Sequence, residues 1–403
     1  MRGETYRIAG RLAAVAIACL ALAPTGASAT EPFFPEWPAQ LQTEVVRVTR
    51  SFDGEAMLFV KDLKTGVRYT YNGSTPAYLA SGVKLAFMTG LFKEIAQGRV
   101  TLDEPLHYDL SDVRDGAPVF DEIKLGTNVP LRMALEAMIH QSDNAASDLI
   151  AHRVGIDRIN QTLKDEGLTG FGPLTSLLDV RRLAYGFMSP RVVVLSPQEI
   201  RSIGIAKTLE TRVERLLELV GEPSGSLGPG DWDRAFRDYY RLGYNTASME
   251  SMGALLERLA NKTLVNSEAS KQMIEILLGT QTGTQRMVAK IPVGVDVAHK
   301  TGTQYLRICD LGIIYVEPDH PVIFSACTKG GSRSRAEEVI AMVAKKTYEL
   351  LAPESIVDPV YDTTSSTAAE FANEGGADVS RPGDPKSHDK RRPVKRPVRR
   401  AHP

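Results

Sequence analysis

SGVKLAFMTGLFKEI, residues 81–95, decides the architecture. Val83, Phe87, Met88, Leu91, Phe92 and Ile95 recur at helical spacing, and apolar residues occupy most faces of the helix. A helix of this kind is buried at the centre of a domain rather than laid on its surface. Other elements must cover it, and the chain supplies them on both sides. Upstream, AMLFVKDL, the turn Lys64-Thr65-Gly66 and VRYTYN read as a β-hairpin over 54–73. Downstream, helical periodicity fills 131–153 and 156–167. Ser196-Pro197-Gln198-Glu199 is a capping box with proline at the first helical position, and predicts a helix over 197–220. Four Gly and two Pro make 221–231 a loop. Helices follow over 248–259 and 267–278, then strands over 295–300, 308–316 and 322–328, and a last amphipathic helix over 334–351.

Strands near both chain ends with helices between them predict an α/β (α+β) fold. Its antiparallel sheet is built from both chain ends, with packed helices and an inserted all-helical domain. The α/β part is about 40–75 and 286–351, and the helical part about 76–285, with an insert over about 175–230.

Composition narrows the function. Of 403 residues, 43% are hydrophobic and 24% charged, which fits a globular chain and excludes a wholly disordered or multispanning one. The net charge of −1 hides an asymmetry. Residues 386–403 hold eight Lys/Arg and one Asp, and the first 29 hold three Arg and one Glu, leaving −10 for 30–385. An acidic body argues against a nucleic-acid partner.

Arg2, Arg7 and Arg11 precede the apolar run LAAVAIACLALA and then Ala27-Ser28-Ala29. That order describes a signal peptide over 1–29, cleaved near Ala29, so the expected location is secreted or periplasmic. Twelve apolar residues are too few to span roughly 30 Å of hydrocarbon. From 352 to 403 the chain lacks periodicity and ends in KRRPVKRPVRR, which predicts a disordered tail whose basic end contacts anionic envelope polymers. Cys309 and Cys327 fall on the two strands of one hairpin. A cross-strand bridge and two small apolar residues in a packed sheet both fit, the second being the plainer reading. Neither cysteine has the neighbours of a metal site, so neither a metal nor a cofactor is expected.

The chemistry starts at the head of the central helix. Ser81-Gly82-Val83-Lys84 puts a lysine one turn beyond a serine on the same face, where the helix dipole favours the serine alkoxide. A desolvated lysine shifts toward its neutral amine, which can take the serine proton. Ser142-Asp143-Asn144 follows the helical run PLRMALEAMIHQ, and Lys300-Thr301-Gly302-Thr303 ends the first late strand. A second K-T-G, Lys64-Thr65-Gly66, lies upstream of the serine in a tight turn, where glycine serves the backbone.

S-x-x-K, S-D-N and K-T-G in that order resemble the class A serine β-lactamases and the penicillin-recognising serine hydrolases. The 61-residue interval from Ser81 to Ser142 and the stretches TGTQRMVAKIPVGVDVAHKTGT, LGIIYV and VIFSACTKGG extend the resemblance over about 40–350. It implies that Ser81 is the nucleophile and Lys84 its base, with the N–H groups of Ser81 and Thr303 as oxyanion donors. Ser142 would pass a proton to the leaving nitrogen, and Asn144 would hold Lys84 and the substrate amide. Lys300, Thr301, Gly302 and Thr303 would line the substrate-carboxylate site. Outside the resemblance, Asn144 reads as a helix cap and Lys300 as a solvated strand-end charge.

The implied protein is a monomeric, secreted serine amide hydrolase acting on a small β-lactam through an acyl-enzyme. A D-Ala-D-Ala peptidase acting on peptidoglycan peptides and a β-lactam or cell-wall sensor that does not turn over are the alternatives. Two departures bear on that choice. No E-x-x-L-N occurs about 35 residues after Ser142, where class A enzymes hold the glutamate that orients the deacylating water. Asp233, in Asp231-Trp232-Asp233-Arg234, is the candidate water base, and a loop aspartate is its plain alternative. Asp310 or Leu311 stands where the family often has a carboxylate-binding arginine, and Arg307 is the candidate substitute.

Overall fold

The computed structural model describes residues 36–353. The signal peptide expected over 1–29 and all but the first two residues of the tail expected over 352–403 lie outside the described residues. An antiparallel five-stranded sheet runs in the order β2-β1-β9-β8-β7. β1 (Gly54–Asp62) and β2 (Arg68–Tyr71) come from the N-terminal side; β7 (Val297–Gln304), β8 (Arg307–Glu317) and β9 (His320–Gly330) come from the C-terminal side. Between them lie the two-residue pair β3 (Ala77–Tyr78) and β6 (Thr246–Ala247), and the pair β4 (Pro105–Tyr108) and β5 (Thr127–Pro130). A sheet made from both ends around a helical middle is what the sequence predicts.

Alternation along the strands gives the sheet two packed faces. Ala56, Leu58 and Val60 of β1 pack with α1 (Trp37–Thr49) and α12 (Arg333–Leu351). Met57 and Phe59 face the opposite way. There they meet α2 (Lys84–Ala96), α3 (Leu131–His140), α4 (Asn144–Val154), α5 (Ile156–Asp165), α10 (Met249–Ala260) and α11 (Ser267–Leu278). α2 is buried continuously from Lys84 to Phe92, as its all-round apolar pattern requires.

A third apolar cluster belongs to α6 (Leu177–Gly186), α7 (Pro197–Gly204), α8 (Leu209–Val220) and α9 (Pro229–Arg241). Trp232, Phe236 and Tyr185 stack at its centre, and it closes on Tyr78 and Ala80, immediately before Ser81.

Several boundaries differ from the sequence reading. The run 131–153 breaks at Gln141-Ser142-Asp143, because Asp143 caps α4 instead of continuing α3. The helix predicted over 197–220 ends at Gly204, and a new capping pair, Thr208 and Thr211, opens α8. The loop expected through 231 ends earlier, with Pro229 at the first position of α9. Lys300-Thr301-Gly302-Thr303 lies inside β7 rather than at its end. Cys309 and Cys327 face each other across β8 and β9 with Cα atoms 4.1 Å apart and form a disulfide, so the reading of two unbridged small residues is replaced.

Candidate active site

Ser81 sits in a 3-10 turn, Ala80–Val83, which leads into α2. Ala80 before it has φ of 49°, a left-handed conformation that costs a non-glycine residue roughly 1–3 kcal/mol and concentrates at functional sites. The turn lies directly on β7. A Cβ added at Gly302 would fall 2.2 Å from the Leu79 carbonyl oxygen and 3.1 Å from the Gly82 nitrogen. Glycine at 302 therefore lets the strand backbone approach the Ser81 turn with no side chain between them.

Lys84, one turn beyond Ser81, is wholly buried. Its Nζ donates to the Ser142 carbonyl at 2.5 Å, to Asn144 Oδ1 at 2.9 Å and to Ser142 Oγ at 3.2 Å. All three acceptors come from the corner between α3 and α4. Ser142 has φ of 62°, the second strained residue of the site. The conformation is held from its neighbour: Asp143 accepts from the Ala146 N–H at 2.9 Å and from the Val119 and Phe120 N–H groups at 3.0 Å. Burial pushes the Asp143 carboxyl up, while those N–H donors and the Lys84 charge pull it down. Asn144 is likewise fixed, its Nδ2 donating to the Asp115 carbonyl at 2.7 Å and its backbone N–H to Gly116 at 2.9 Å.

β7 supplies the second cation. Lys300 is buried, and its Nζ donates to Ser142 Oγ at 3.0 Å and to the Thr301 carbonyl at 3.1 Å. Ser142 Oγ thus bridges the two lysines. With both lone-pair directions engaged by the lysines, its own proton remains available for donation.

Thr301 and Thr303 lie on the alternate positions of the strand. Thr301 Oγ1 meets Thr282 Oγ1 at 2.6 Å, and Thr303 Oγ1 accepts from Arg286 Nη2 at 2.7 Å. Arg286 is the residue the sequence reading missed. It is fully buried, reaches the Gly302 and Cys309 carbonyls at 3.4 and 3.3 Å, and is paired with Glu337 of α12 at 3.0 Å. The signal available was an arginine within TGTQRM, fourteen residues before Lys300, but nothing in one sequence says that it is buried or that Glu337 faces it. Arg307, the sequence candidate, instead lies over the Tyr240 ring, 4.2 Å from its centroid, and donates to the Leu306 carbonyl. Asp310 faces away, bonded to His299 Nδ1 at 2.8 Å and to the Met287 N–H at 3.0 Å.

Ser81, Lys84, Ser142, Asn144 and Lys300 are thus brought together, with Thr301, Gly302 and Thr303 on the wall beside them. The Asp233 carboxylate accepts from the hydroxyl of Tyr305, just past the end of β7 and two residues after Thr303. Asp179, at the interval where a water-orienting glutamate would be sought, accepts from Ser176 Oγ at 2.6 Å and helps cap α6. Phenols line this side. Burial pushes Tyr78 and Tyr240 above their usual range and Tyr185 up to about 12, so none of them is a phenolate base at neutral pH. Among the described residues no group of His, Cys, Asp or Glu is disposed to hold a metal ion.

Comparison with known proteins gives the family and the fold. The model of the beta-lactamase enzyme family matches residues 40–351. The chain is 23% identical over 346 residues to the carbapenem-hydrolyzing beta-lactamase KPC of Klebsiella oxytoca, covering 83% of this chain and 95% of that protein. It is 29% identical over 113 residues to the extended-spectrum beta-lactamase PER-1 of Pseudomonas aeruginosa, a match that spans only 37% of that protein. Among solved structures, a beta lactamase from Xanthomonas campestris superposes with a TM-score of 0.59 at 17% identity, covering 78% of this chain and 99% of that one. PBP-A superposes with a TM-score of 0.58 at 20% identity, covering 79% and 97%.

Proposed function

The chain belongs to the beta-lactamase enzyme family and is a class A β-lactamase-like serine hydrolase, and from that premise we propose that it opens β-lactam rings through an ester on Ser81. The observation that carries the proposal is the bridging of Lys84 and Lys300 by one hydroxyl, that of Ser142. It supports the leg of a proton path that runs from Lys84 through Ser142, while the leg from Ser81 to Lys84 rests on their one-turn spacing. Once Lys84 has released to solvent the proton it carries in the resting site, Ser81 Oγ attacks the lactam carbonyl carbon as its own proton moves to the Lys84 amine. Ser142 Oγ then hands a proton to the ring nitrogen and is resupplied by Lys84. The carbon–nitrogen bond breaks, leaving the acyl ester and a secondary amine. Lys300 and the Thr301 and Thr303 hydroxyls receive the substrate carboxylate, with Arg286, itself paired with Glu337, holding the Thr303 hydroxyl in place.

Water then attacks the ester, and here the site is poor. The chain has no E-x-x-L-N, Asp179 is engaged in capping α6, and Asp233 is held by Tyr305. General-base assistance typically contributes about 10²–10⁴-fold, so its loss costs roughly 3–5 kcal/mol at this step. We therefore propose rapid acylation and slow deacylation, with Asp233 as the candidate for what assistance exists. The same feature favours a second reading, a D-Ala-D-Ala peptidase or penicillin-binding sensor with the same acylation chemistry. The leader reading makes the protein secreted or periplasmic, with the basic tail on anionic envelope polymer. The deciding experiment is intact mass after mixing with benzylpenicillin. A Ser81 adduct that forms fast and decays slowly, with a burst of product, supports the proposal; fast turnover with no burst overturns the slow step, and no adduct overturns the nucleophile.

A further inference from the structure

We propose that Arg181 is a positioning residue for acylation: it fixes Asp115, whose backbone fixes Asn144, which in turn aims the Lys84 amine. The proposal rests on the reading of Lys84 as the proton acceptor of Ser81. It ties the helical insert, which contributes no group to the lysine-bridged cluster, to the step that the cluster performs.

The path is continuous. Arg181 of α6 is buried and grips the Asp115 carboxylate with Nε at 2.9 and 3.1 Å and with Nη2 at 2.5 Å. The Asp115 carbonyl accepts from Asn144 Nδ2 at 2.7 Å, and Asn144 Oδ1 accepts from Lys84 Nζ at 2.9 Å. The residue before Asp115 makes a second tie. Arg114 Nε donates to Asp148 Oδ2 at 2.6 Å, and the Asp148 carboxylate accepts from the Leu177 and Leu178 N–H groups at the start of α6, at 2.7 and 2.9 Å. Asp148 lies on α4, the helix that begins with Asn144. Two adjacent residues of opposite charge thus lace α4 to α6 on either side of the Asn144 loop.

The insert presses on the same carboxylate from a third direction. At Gly204, the last residue of α7, an added Cβ would lie 2.6 Å from Asp115 Cγ and Oδ2. Such a lattice of buried ionic contacts leaves the Asp115 backbone little freedom. A geometric fault in it would reach Lys84 through two hydrogen bonds, and misplacement of about 1 Å at a reacting group can cost 10²-fold in rate.

The test uses the full chain and benzylpenicillin, with the acylation rate read by intact mass and folding by circular dichroism. Arg181→Gln and Asp115→Asn should each slow acylation tenfold or more, and the double variant, whose amides can still pair, should recover most of the loss. In an Asn144→Ala background, Arg181→Gln should add nothing, because its effect passes through Asn144. Gly204→Ala, which favours its helix and whose methyl would press first on Asp115, should slow acylation likewise and serves if a polar variant does not fold. Folded Arg181→Gln and Asp115→Asn proteins that acylate within twofold of wild type would overturn the proposal. So would an Arg181→Gln effect of equal size in wild-type and Asn144→Ala backgrounds. If wild type takes no adduct at Ser81, the reading of Lys84 fails and this inference with it; an adduct that is indifferent to these variants removes the inference alone.

Discussion

Gly302→Ala is the sharpest test of how the strand and the Ser81 turn are joined. The added methyl would sit 2.2 Å from the Leu79 carbonyl oxygen, 3.1 Å from the Gly82 nitrogen and 3.3 Å from Cys309 Cβ. Two of these neighbours are backbone and the third belongs to a disulfide, so none can swing aside. To reach an ordinary contact the turn and the strand must separate by about 1 Å. Overpacking of that size destabilises by about 1–3 kcal/mol, a loss the remaining core can carry. The effect on chemistry should be larger in proportion, because the separation opens between the nucleophile and the Lys300 strand, and about 1 Å costs 10²-fold. The assay is stopped-flow or quenched acylation by benzylpenicillin beside a thermal melt. Gly230→Ala in α9, where a Cβ meets nothing within 4 Å, is the control and should leave both unchanged or slightly stabilised. A folded Gly302→Ala protein that acylates within threefold of wild type would refute the argument that bare backbone contact sets the site.

Other outcomes follow from single contacts. Ser81→Ala should abolish the adduct in intact mass while leaving the melt near wild type. Asp233→Asn should spare acylation and lengthen the adduct lifetime; an unchanged lifetime removes Asp233 from the deacylation step. Replacing Cys309 and Cys327 together by alanine should lower unfolding free energy by about 3 kcal/mol in denaturant titration, since the bridge closes a loop of 18 residues. Asp62 gives a pH signature. Burial raises its carboxyl, but the Thr65 hydroxyl, His320 and the Lys64 N–H outweigh burial and hold it below the usual 3.8. Its contribution to stability is therefore present above that value and lost as pH falls through the lower folded-state one. Asp62→Asn should destabilise near neutrality, and the gap from wild type should narrow as pH falls below the ordinary carboxyl value of 3.8.

The sequence was most informative where one residue type serves one backbone need. The all-round apolar pattern of 81–95 predicts the central helix, and two strand-like runs around the turn Lys64-Thr65-Gly66 predict the N-terminal hairpin. S-x-x-K, S-D-N and K-T-G locate five residues that the fold brings together. The reading fails where a partner is distant in the chain. Arg286 looks like any strand-flanking cation until Glu337, 51 residues on, is seen to neutralise it. Arg181 and Asp115 are 66 residues apart, and neither carries a motif. Helix ends fail for a related reason: Asp143 stops α3 because distant Val119 and Phe120 N–H groups hold its carboxylate, a competition that local periodicity does not register.

The division of the fold explains why acylation and deacylation can part company. Every group of the acylation path comes from the Ser81 turn, the α3–α4 corner or β7, and these share the main core around α2 and the sheet. The helical insert has its own core, and several of its acids already have local work. Asp179 joins the cap of α6, Glu199 closes the capping box of α7, Asp231 accepts from the Gly228 N–H at the start of α9, and Asp233 is taken by Tyr305. Three of these carboxylates have lone pairs directed at donors within their own helix end and Asp233 has one directed at Tyr305, and recruiting any of them to orient water competes with that contact. On the proposed reading, faster hydrolysis would come from changes in the insert, whereas the acylation machinery needs the insert only as a brace. Selection on the insert can tune the lifetime of the acyl-enzyme without touching the residues that form it.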